Sequence, residues 1–303
     1  MLQDKMLQDK MLQDKAVDSL LRLRRYVRDV LRSPVLAPVF PALQAVDLWV
    51  RQRLARNGVV VERRGIQFEL DLTQQIDSAI FYDGYFELGT TEAIERIVEA
   101  GMVVFDIGAN IGCHALQLAR LVGPAGHVWA FEPTGWATKK LRRNLELNPD
   151  LAQTLNIVNC ALSDETRART EYSFRSQWNA DGKQTAEEHG EVDFITLDEF
   201  VHERGVTSLD FVKLDVDGYE TKILRGARET LKRFKPAMII EVSDYWQRRV
   251  GDSLDALVCE LERVGYRYYD EAGFEPIDDL RDRVAQLGGR ATFNVVCVAP
   301  ADV

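Results

Sequence analysis

Seven short, almost wholly apolar runs, separated by amphipathic stretches, set the tightest limit on what this chain can fold into. They read MVVFDIG at 102–108, HVWAFEP at 127–133, LNIVNCAL at 155–162, LDFVKLDV at 209–216, PAMIIEV at 236–242, YRYYDE at 266–271 and TFNVVCVA at 292–299. Strands that are apolar on both sides need both faces covered, and strands of that kind belong to parallel sheets. The stretches between them, including Cys113–Leu121, Thr138–Asn148, Glu220–Phe234 and Ser253–Val264, carry helical patterns. The pattern therefore predicts an α/β, Rossmann-like fold: a doubly wound, seven-stranded, mainly parallel sheet whose last hairpin adds one antiparallel strand. A ligand on such a sheet belongs at the carboxyl ends of the first strands, where the strand order reverses.

With 303 residues, 46% of them hydrophobic, the chain can bury one large core and carry an appendage. Its formal charge of −10 has the wrong sign for a general nucleic-acid surface. That charge is uneven, because Ala16–Arg64 holds ten Arg against four acids, so a basic arm precedes an acidic body. Within the arm, Val17–Leu31 and Leu43–Arg56 show helical apolar spacing, interrupted at Ser33-Pro34 and ended at Asn57-Gly58. Ahead of it MLQDK is repeated three times, a period of five that fits no helical repeat. The expected plan is a disordered or appended repeat over 1–15, an N-terminal helical arm with lead-in strands over 16–77, and the main domain over 78–303. The arm is expected to cap that domain or to touch a membrane surface. No apolar run approaches the roughly 18–20 residues of a membrane span, so a cytoplasmic protein, at most peripheral to the membrane, is expected. Cys113, Cys160, Cys259 and Cys297 match no metal or disulfide spacing.

The first run passes directly into a glycine-rich turn and a helix, VVFDIGANIG at 103–112. Gly108 and Gly112 leave room for a ligand to approach the backbone, and the helix directs free N–H groups to the same place. Their spacing is GxxxG rather than the GxGxxG that cradles a pyrophosphate, which disfavours a nicotinamide-dependent oxidoreductase. Asp106, two residues before the first glycine, would repel phosphate and suits a cation, such as the ammonium of S-adenosylmethionine (SAM). Glu132, at the end of the next strand, stands where an acid accepts hydrogen bonds from a ribose diol. Turn and acid together predict an adenosine-containing ligand, and charge favours SAM over NAD. A further turn, FVKLDVDGYE at 211–220, places Asp215 at the carboxyl end of the fourth strand, with Lys213, Asp215 and Asp217 on one side by strand alternation. Its pattern leaves Asp215 as a general base, an electrostatic partner of a sulfonium or a metal ligand. Asp217 and Glu220 read as turn and helix-start acids.

DIGANIG at 106–112, FEP at 131–133, NCALSD at 159–164, TLDEF at 196–200 and KLDVDGYE at 213–220, in this order, resemble the FkbM family of SAM-dependent methyltransferases. The resemblance runs from about Tyr82 to Phe234. It implies the class I methyltransferase fold, SAM as methyl donor, and O-methylation of a small molecule, sugar or lipid-linked intermediate. It also implies that Asp106, Gly108, Ala109, Asn110 and Gly112 line the methionine end, that Glu132 holds the ribose, and that Ala161 and Leu162 bracket the adenine. The family turn more often has Glu where this chain has Asp217.

Methyl transfer is an in-line displacement, and a hydroxyl acceptor must also lose its proton. Asp215 and His114 are the expected catalytic residues, with His189 as a further candidate base. If a divalent cation takes part, Asp215, Glu241 and Asp244 would offer oxygens suited to Mg²⁺. The insertion Thr166–Val192, with Tyr172, Phe174, Trp178 and Asn179, is expected to form a substrate lid or an exposed hairpin. The competing function is a non-catalytic SAM- or nucleoside-binding module docked through the basic arm. Asp215, which binding alone does not require, separates the two.

Overall fold

The computed structural model describes residues 58–174, 177, 179, 188–288 and 291–300. The helices expected in the basic arm, the MLQDK repeat and Trp178 lie outside the described residues. The chain divides into two compact units, one formed by residues up to Phe86 with 177–185, the other by 87–176 and 186–303.

In the first unit β1 (Val59–Arg63) and β2 (Ile66–Leu70) form an antiparallel hairpin in which Val59, Val61, Ile66, Phe68 and Leu70 are buried. Its two-residue connection, Arg64-Gly65, has φ of 52° and 75°, the sense of turn that matches the twist of the paired strands. Next comes α1 (Gln75–Asp83), and Arg63 donates from Nε and Nη2 to the Phe81 carbonyl at 3.0 and 2.6 Å. The lead-in strands are thus continued by a helix of the same unit.

The second unit begins with α2 (Leu88–Ile97), β3 (Val103–Ile107), α3 (Cys113–Val122), β4 (His127–Phe131), α4 (Gly135–Glu146) and β5 (Leu155–Val158). After them come β6 (Ala161–Leu162), β7 (Arg167–Phe174), β8 (Glu188–Ile195), α5 (Leu197–Glu203), β9 (Phe211–Leu214), α6 (Glu220–Arg225) and α7 (Arg228–Phe234). The unit ends with β10 (Ala237–Val242), α8 (Asp244–Arg249), α9 (Leu254–Val264), β11 (Arg267–Asp270), β12 (Pro276–Ile277), α10 (Leu280–Leu287) and β13 (Phe293–Val298). The main sheet has the order β12-β11-β13-β10-β9-β3-β4-β5. Strands β3, β4, β5, β9 and β10 are parallel, and β13 runs antiparallel to both its neighbours. The seven expected strands are all present, and the two-residue β12 adds an eighth at the edge.

Two expected elements are divided. LNIVNCAL breaks after Val158, and its second half, β6, joins β8 and β7 in a separate three-stranded sheet. The helix expected over Glu220–Phe234 is two helices, because Gly226 passes so close to the Ser163 carbonyl that no Cβ fits there. The Gly226 carbonyl instead accepts from the Asp198 N–H at 2.9 Å, and the Asp198 carboxylate caps α7 by accepting from Glu229 N and Thr230 N at 3.1 and 2.7 Å. Beneath the carboxyl ends of β3 and β4 lie Phe105, Phe131 and Phe200, fully buried and packed edge-to-face with ring centroids 4.8–5.9 Å apart. Among the described residues no helix is long and apolar enough to cross a membrane.

Candidate active site

The connections run outward from β3 towards β5 on one side and from β9 towards β10 on the other, so a crevice opens at the carboxyl ends of β3 and β9. The DIGANIG turn lies there. Gly108 has φ of 87°, and a Cβ on it would overlap the carbonyl oxygen of Asp215, so the turns after β3 and β9 touch through their backbones. The N–H groups of Gly108 and Ala109 both donate to the Phe131 carbonyl at 3.0 Å. Gly112, with φ of 91°, starts α3, and a Cβ there would overlap the Leu141 side chain. Gly112→Ala is expected to cost about 2 kcal/mol through this contact and the left-handed backbone, read as a lowered midpoint in thermal or urea unfolding.

Glu132 is buried and ties the second turn to the first. Its Oε1 accepts from the N–H and hydroxyl of Thr134 at 2.9 and 2.6 Å, and its Oε2 accepts from the Asn110 N–H at 3.0 Å. A carboxylate offers about four acceptor positions, so one remains on Oε2. Burial pushes its carboxyl above the usual range, while the Thr134 and Asn110 donors pull the other way. Asn159, from NCALSD, locks the same corner by donating to the carbonyls of Glu132 and Pro133 at 2.8 and 3.0 Å.

Strand register assembles a polar row on one face of the sheet. Asp106 lies opposite Lys213, Ile239 opposite Lys213 on the other side, and Glu241 opposite Asn294. Two residues along a strand restore the same face, so Asp106, Lys213, Asp215, Glu241 and Asn294 share it. Lys213 is buried and donates to Asp215 Oδ2 at 2.9 Å, with a quarter of the Asp215 side chain exposed. Burial alone would lower the Lys213 pKa, but Asp215, Asp106 and Glu87 outweigh it and raise it. Asp106 is fully buried, and neither of its oxygens has a hydrogen-bond partner among the described residues. Burial raises its carboxyl against the pull of Lys213 and His114. His114 is buried behind the glycine turn with Nε2 3.8 Å from Glu87 Oε2. Asn294 donates to Thr90 Oγ1 at 2.8 Å, and Thr90 donates to Glu271 at 2.6 Å.

The other expected residues fall as follows. The strand pleat ends before Asp217, whose φ is 51°. Glu220, read as a helix-start acid, is turned back into the protein: its Oε1 accepts from Val216 N and Gly218 N at 3.0 and 3.2 Å, and its Oε2 accepts from Gln247. Burial pushes its carboxyl up to about 7. Glu241 Oε2 is buried without a partner among the described residues, and burial together with Asp215, Glu220 and Asp217 holds its carboxyl well above the usual range. Asp244 pairs with Arg248 at 2.7 Å. Among the described residues no group of three His, Cys, Asp or Glu is placed to hold a metal ion, so Asp215, Glu241 and Asp244 are not brought together as a Mg²⁺ centre.

Ala161 and Leu162 are buried in packing, Leu162 in the main core and Ala161 against Tyr172, Val192 and Phe194. The insertion is the β7–β8 hairpin. His189 is exposed on it, while Glu188 accepts from Gly135 N at 2.8 Å and from the Tyr172 hydroxyl at 3.1 Å. Sequence reasoning missed Glu87, Thr90 and Asn294 and gave Lys213 no role. The available signals were a single Lys in FVKLDV and a single Asn in TFNVVCVA, each a polar residue inside an apolar strand.

A family model described as the methyltransferase FkbM domain matches residues 106–268, more than half of the chain. The chain belongs to the FkbM methyltransferase family. Its FkbM domain holds Asp106, Glu132, Lys213, Asp215 and Glu241, whereas Glu87, Thr90 and Asn294 lie outside the matched segment. Its strand order and single reversed inner strand are those of the class I SAM-dependent methyltransferases. The 31-O-demethyl-FK506 methyltransferase FkbM of Streptomyces tacrolimicus is 29% identical over 198 residues, covering 55% of this chain and 73% of that protein. The 2-O-methyltransferase NoeI of Sinorhizobium fredii is 25% identical over 150 residues, covering 43% and 59%. The hexuronic acid methyltransferase AglP of Haloferax volcanii is 29% identical over 133 residues, covering 43% and 52%. The chain thus spans from about half to about three quarters of the length of these relatives. A solved FkbM methyltransferase from Methylobacillus flagellatus aligns with a TM-score of 0.42 at 17% identity, covering 86% of this chain and 60% of that one.

Proposed function

We propose that the chain transfers the methyl group of SAM to a hydroxyl oxygen of a small-molecule, sugar or lipid-linked acceptor. The observation that carries this reading is the convergence of Asp106, Glu132 and Asp215 on one crevice at the carboxyl ends of β3, β4 and β9. The residues present fit SAM. Among the described residues Asp106 keeps two buried acceptor oxygens without a partner, and Glu132 keeps one acceptor position. Names of relatives that act on an FK506 oxygen, on a 2-O position and on hexuronic acid support an oxygen acceptor and a small or sugar-like substrate.

When bound, SAM supplies a methyl group made electrophilic by its sulfonium. Asp106 sets a carboxylate at the methionine end, and the Oε2 of Glu132 accepts from a ribose hydroxyl. Asp215 faces the crevice and takes the proton of the acceptor hydroxyl, with Lys213 fixing its carboxylate. It suits this role better than His114, whose side chain is only 6% exposed. A lipid-linked acceptor would give the basic arm a membrane surface to meet.

Incubation with methyl-labelled SAM and a panel of hydroxyl compounds is expected to give base-stable ether methyl groups and an equal amount of S-adenosylhomocysteine. Label released by mild base would mark a methyl ester and overturn the hydroxyl assignment. SAM binding without transfer to any compound would favour a binding module.

A further inference from the structure

The acids at the methionine end outnumber the cations that could balance them. Lys213 is acted on by three carboxylates, Asp215, Asp106 and Glu87, but it donates its hydrogen bond to Asp215. Asp106 is left fully buried with both oxygens unpartnered among the described residues, although Lys213 and His114 both act on it. Glu87 is acted on by the same two groups. The carboxylate of Glu87 is surrounded without being saturated. Its Oε2 lies 3.4 Å from Thr90 Oγ1, 3.4 Å from Asn294 Nδ2 and 3.8 Å from His114 Nε2. The Thr90 hydroxyl has one proton, and the 2.6 Å bond to Glu271 uses it, while Asn294 makes its short bond to Thr90 at 2.8 Å. What remains for Glu87 is long and weak.

The backbone is arranged to keep Glu87 in this place. It has φ of 52° and ψ of 83°, a left-handed conformation that a side chain adopts at a cost, immediately before the first turn of α2. Two carboxylates that share the pull of Lys213 and His114, a fully buried Asp106 with no partner among the described residues and a partly exposed Glu87 with spare acceptor capacity, make a receptor for a compact cation with several N–H donors.

We propose that Glu87 and Asp106 together hold the ammonium group of the methionine moiety, with Glu87 supplying the contact from outside the FkbM domain. The proposal deepens the SAM reading above and depends on it. Asn294 and Thr90 are positioning residues in this scheme, since they bracket the Glu87 carboxylate. An ammonium in this place relieves the excess of negative charge that Lys213 alone leaves.

Calorimetry on the full chain with three ligands tests it. SAM and S-adenosylhomocysteine both carry the ammonium, whereas 5′-methylthioadenosine has the same nucleoside and sulfur without the amino-acid end. For Glu87→Gln, affinity for SAM and for S-adenosylhomocysteine is expected to fall at least about tenfold, the scale of one lost charged hydrogen bond. Affinity for methylthioadenosine is expected to change by less than about twofold. Glu87→Gly, which relieves the left-handed backbone while removing the carboxylate, should show the same selective loss at equal or higher thermal stability. An equal loss for all three ligands would make Glu87 merely structural and overturn the proposal, as would no loss for any. A loss for SAM alone would assign Glu87 to the sulfonium and overturn it too. A wild-type chain that binds neither SAM nor S-adenosylhomocysteine would instead remove the SAM reading itself, whatever Glu87 does.

Discussion

Replacing Glu132 with alanine is expected to weaken SAM binding at least about 100-fold. Two losses combine. The ribose loses a charged acceptor, worth roughly 1.5–3 kcal/mol per hydrogen bond, and each 1.4 kcal/mol is a factor of ten in affinity. The Asn110 N–H, which donates to Glu132 Oε2 at 3.0 Å, also loses its acceptor, so the glycine turn loses one of its tethers. Calorimetry with SAM reads the effect, and an unfolding curve shows that the variant is folded. Glu132→Asp keeps the charge but withdraws it by one methylene, and should fall between wild type and alanine. Unchanged affinity in the alanine variant, or tighter binding of NAD than of SAM by the wild type, would sink the cofactor assignment.

Turnover, by contrast, should depend on Asp215 more than binding does. Asp215→Asn keeps the size and removes the charge, so SAM affinity is expected to change by less than about tenfold while turnover falls about 100-fold or more. Lys213 remains beside Asp106 and Glu87 in this variant, which keeps the buried ammonium compensated. If a chelator abolished wild-type turnover and Mg²⁺ restored it, Asp215 would act as a metal ligand and its role as proton acceptor would fall. Wild-type turnover in the Asn variant would make Asp215 a turn residue only.

The parts of the site that could be read from the sequence are those written in consecutive residues. DIGANIG and FEP each combine a strand end, a turn and an acid within a few positions, and the parallel register of β3 and β4 then sets them side by side. Lys213 and Asn294 are different. Lys213 pairs with Asp215 on its own strand but also faces Asp106 across the sheet, Asn294 reaches Thr90 and Glu87, and no local pattern carries such partners. Glu87 and Asn294 come within 3.4 Å although 207 residues separate them. Glu220 stands in the first turn of α6, as its position after the Asp217-Gly218 turn implies. A carboxylate in the first turn of a helix usually faces water, and here the pocket formed by Val216, Gly218 and Gln247 draws it inward. The break at Gly226 is equally non-local, since the Ser163 carbonyl that forbids a Cβ there lies just after β6, 63 residues earlier in the chain.

The hydrogen bond from Asn110 to Glu132 has a thermodynamic consequence. It joins the turn that would face the methionine moiety to the turn that would face the nucleoside, through one donor and one acceptor. Ordering either half of the crevice therefore orders the other, and two half-ligands offered separately are not independent. Adenosine bound at its end should raise the affinity for methionine, and by reciprocity methionine should raise that for adenosine by the same factor.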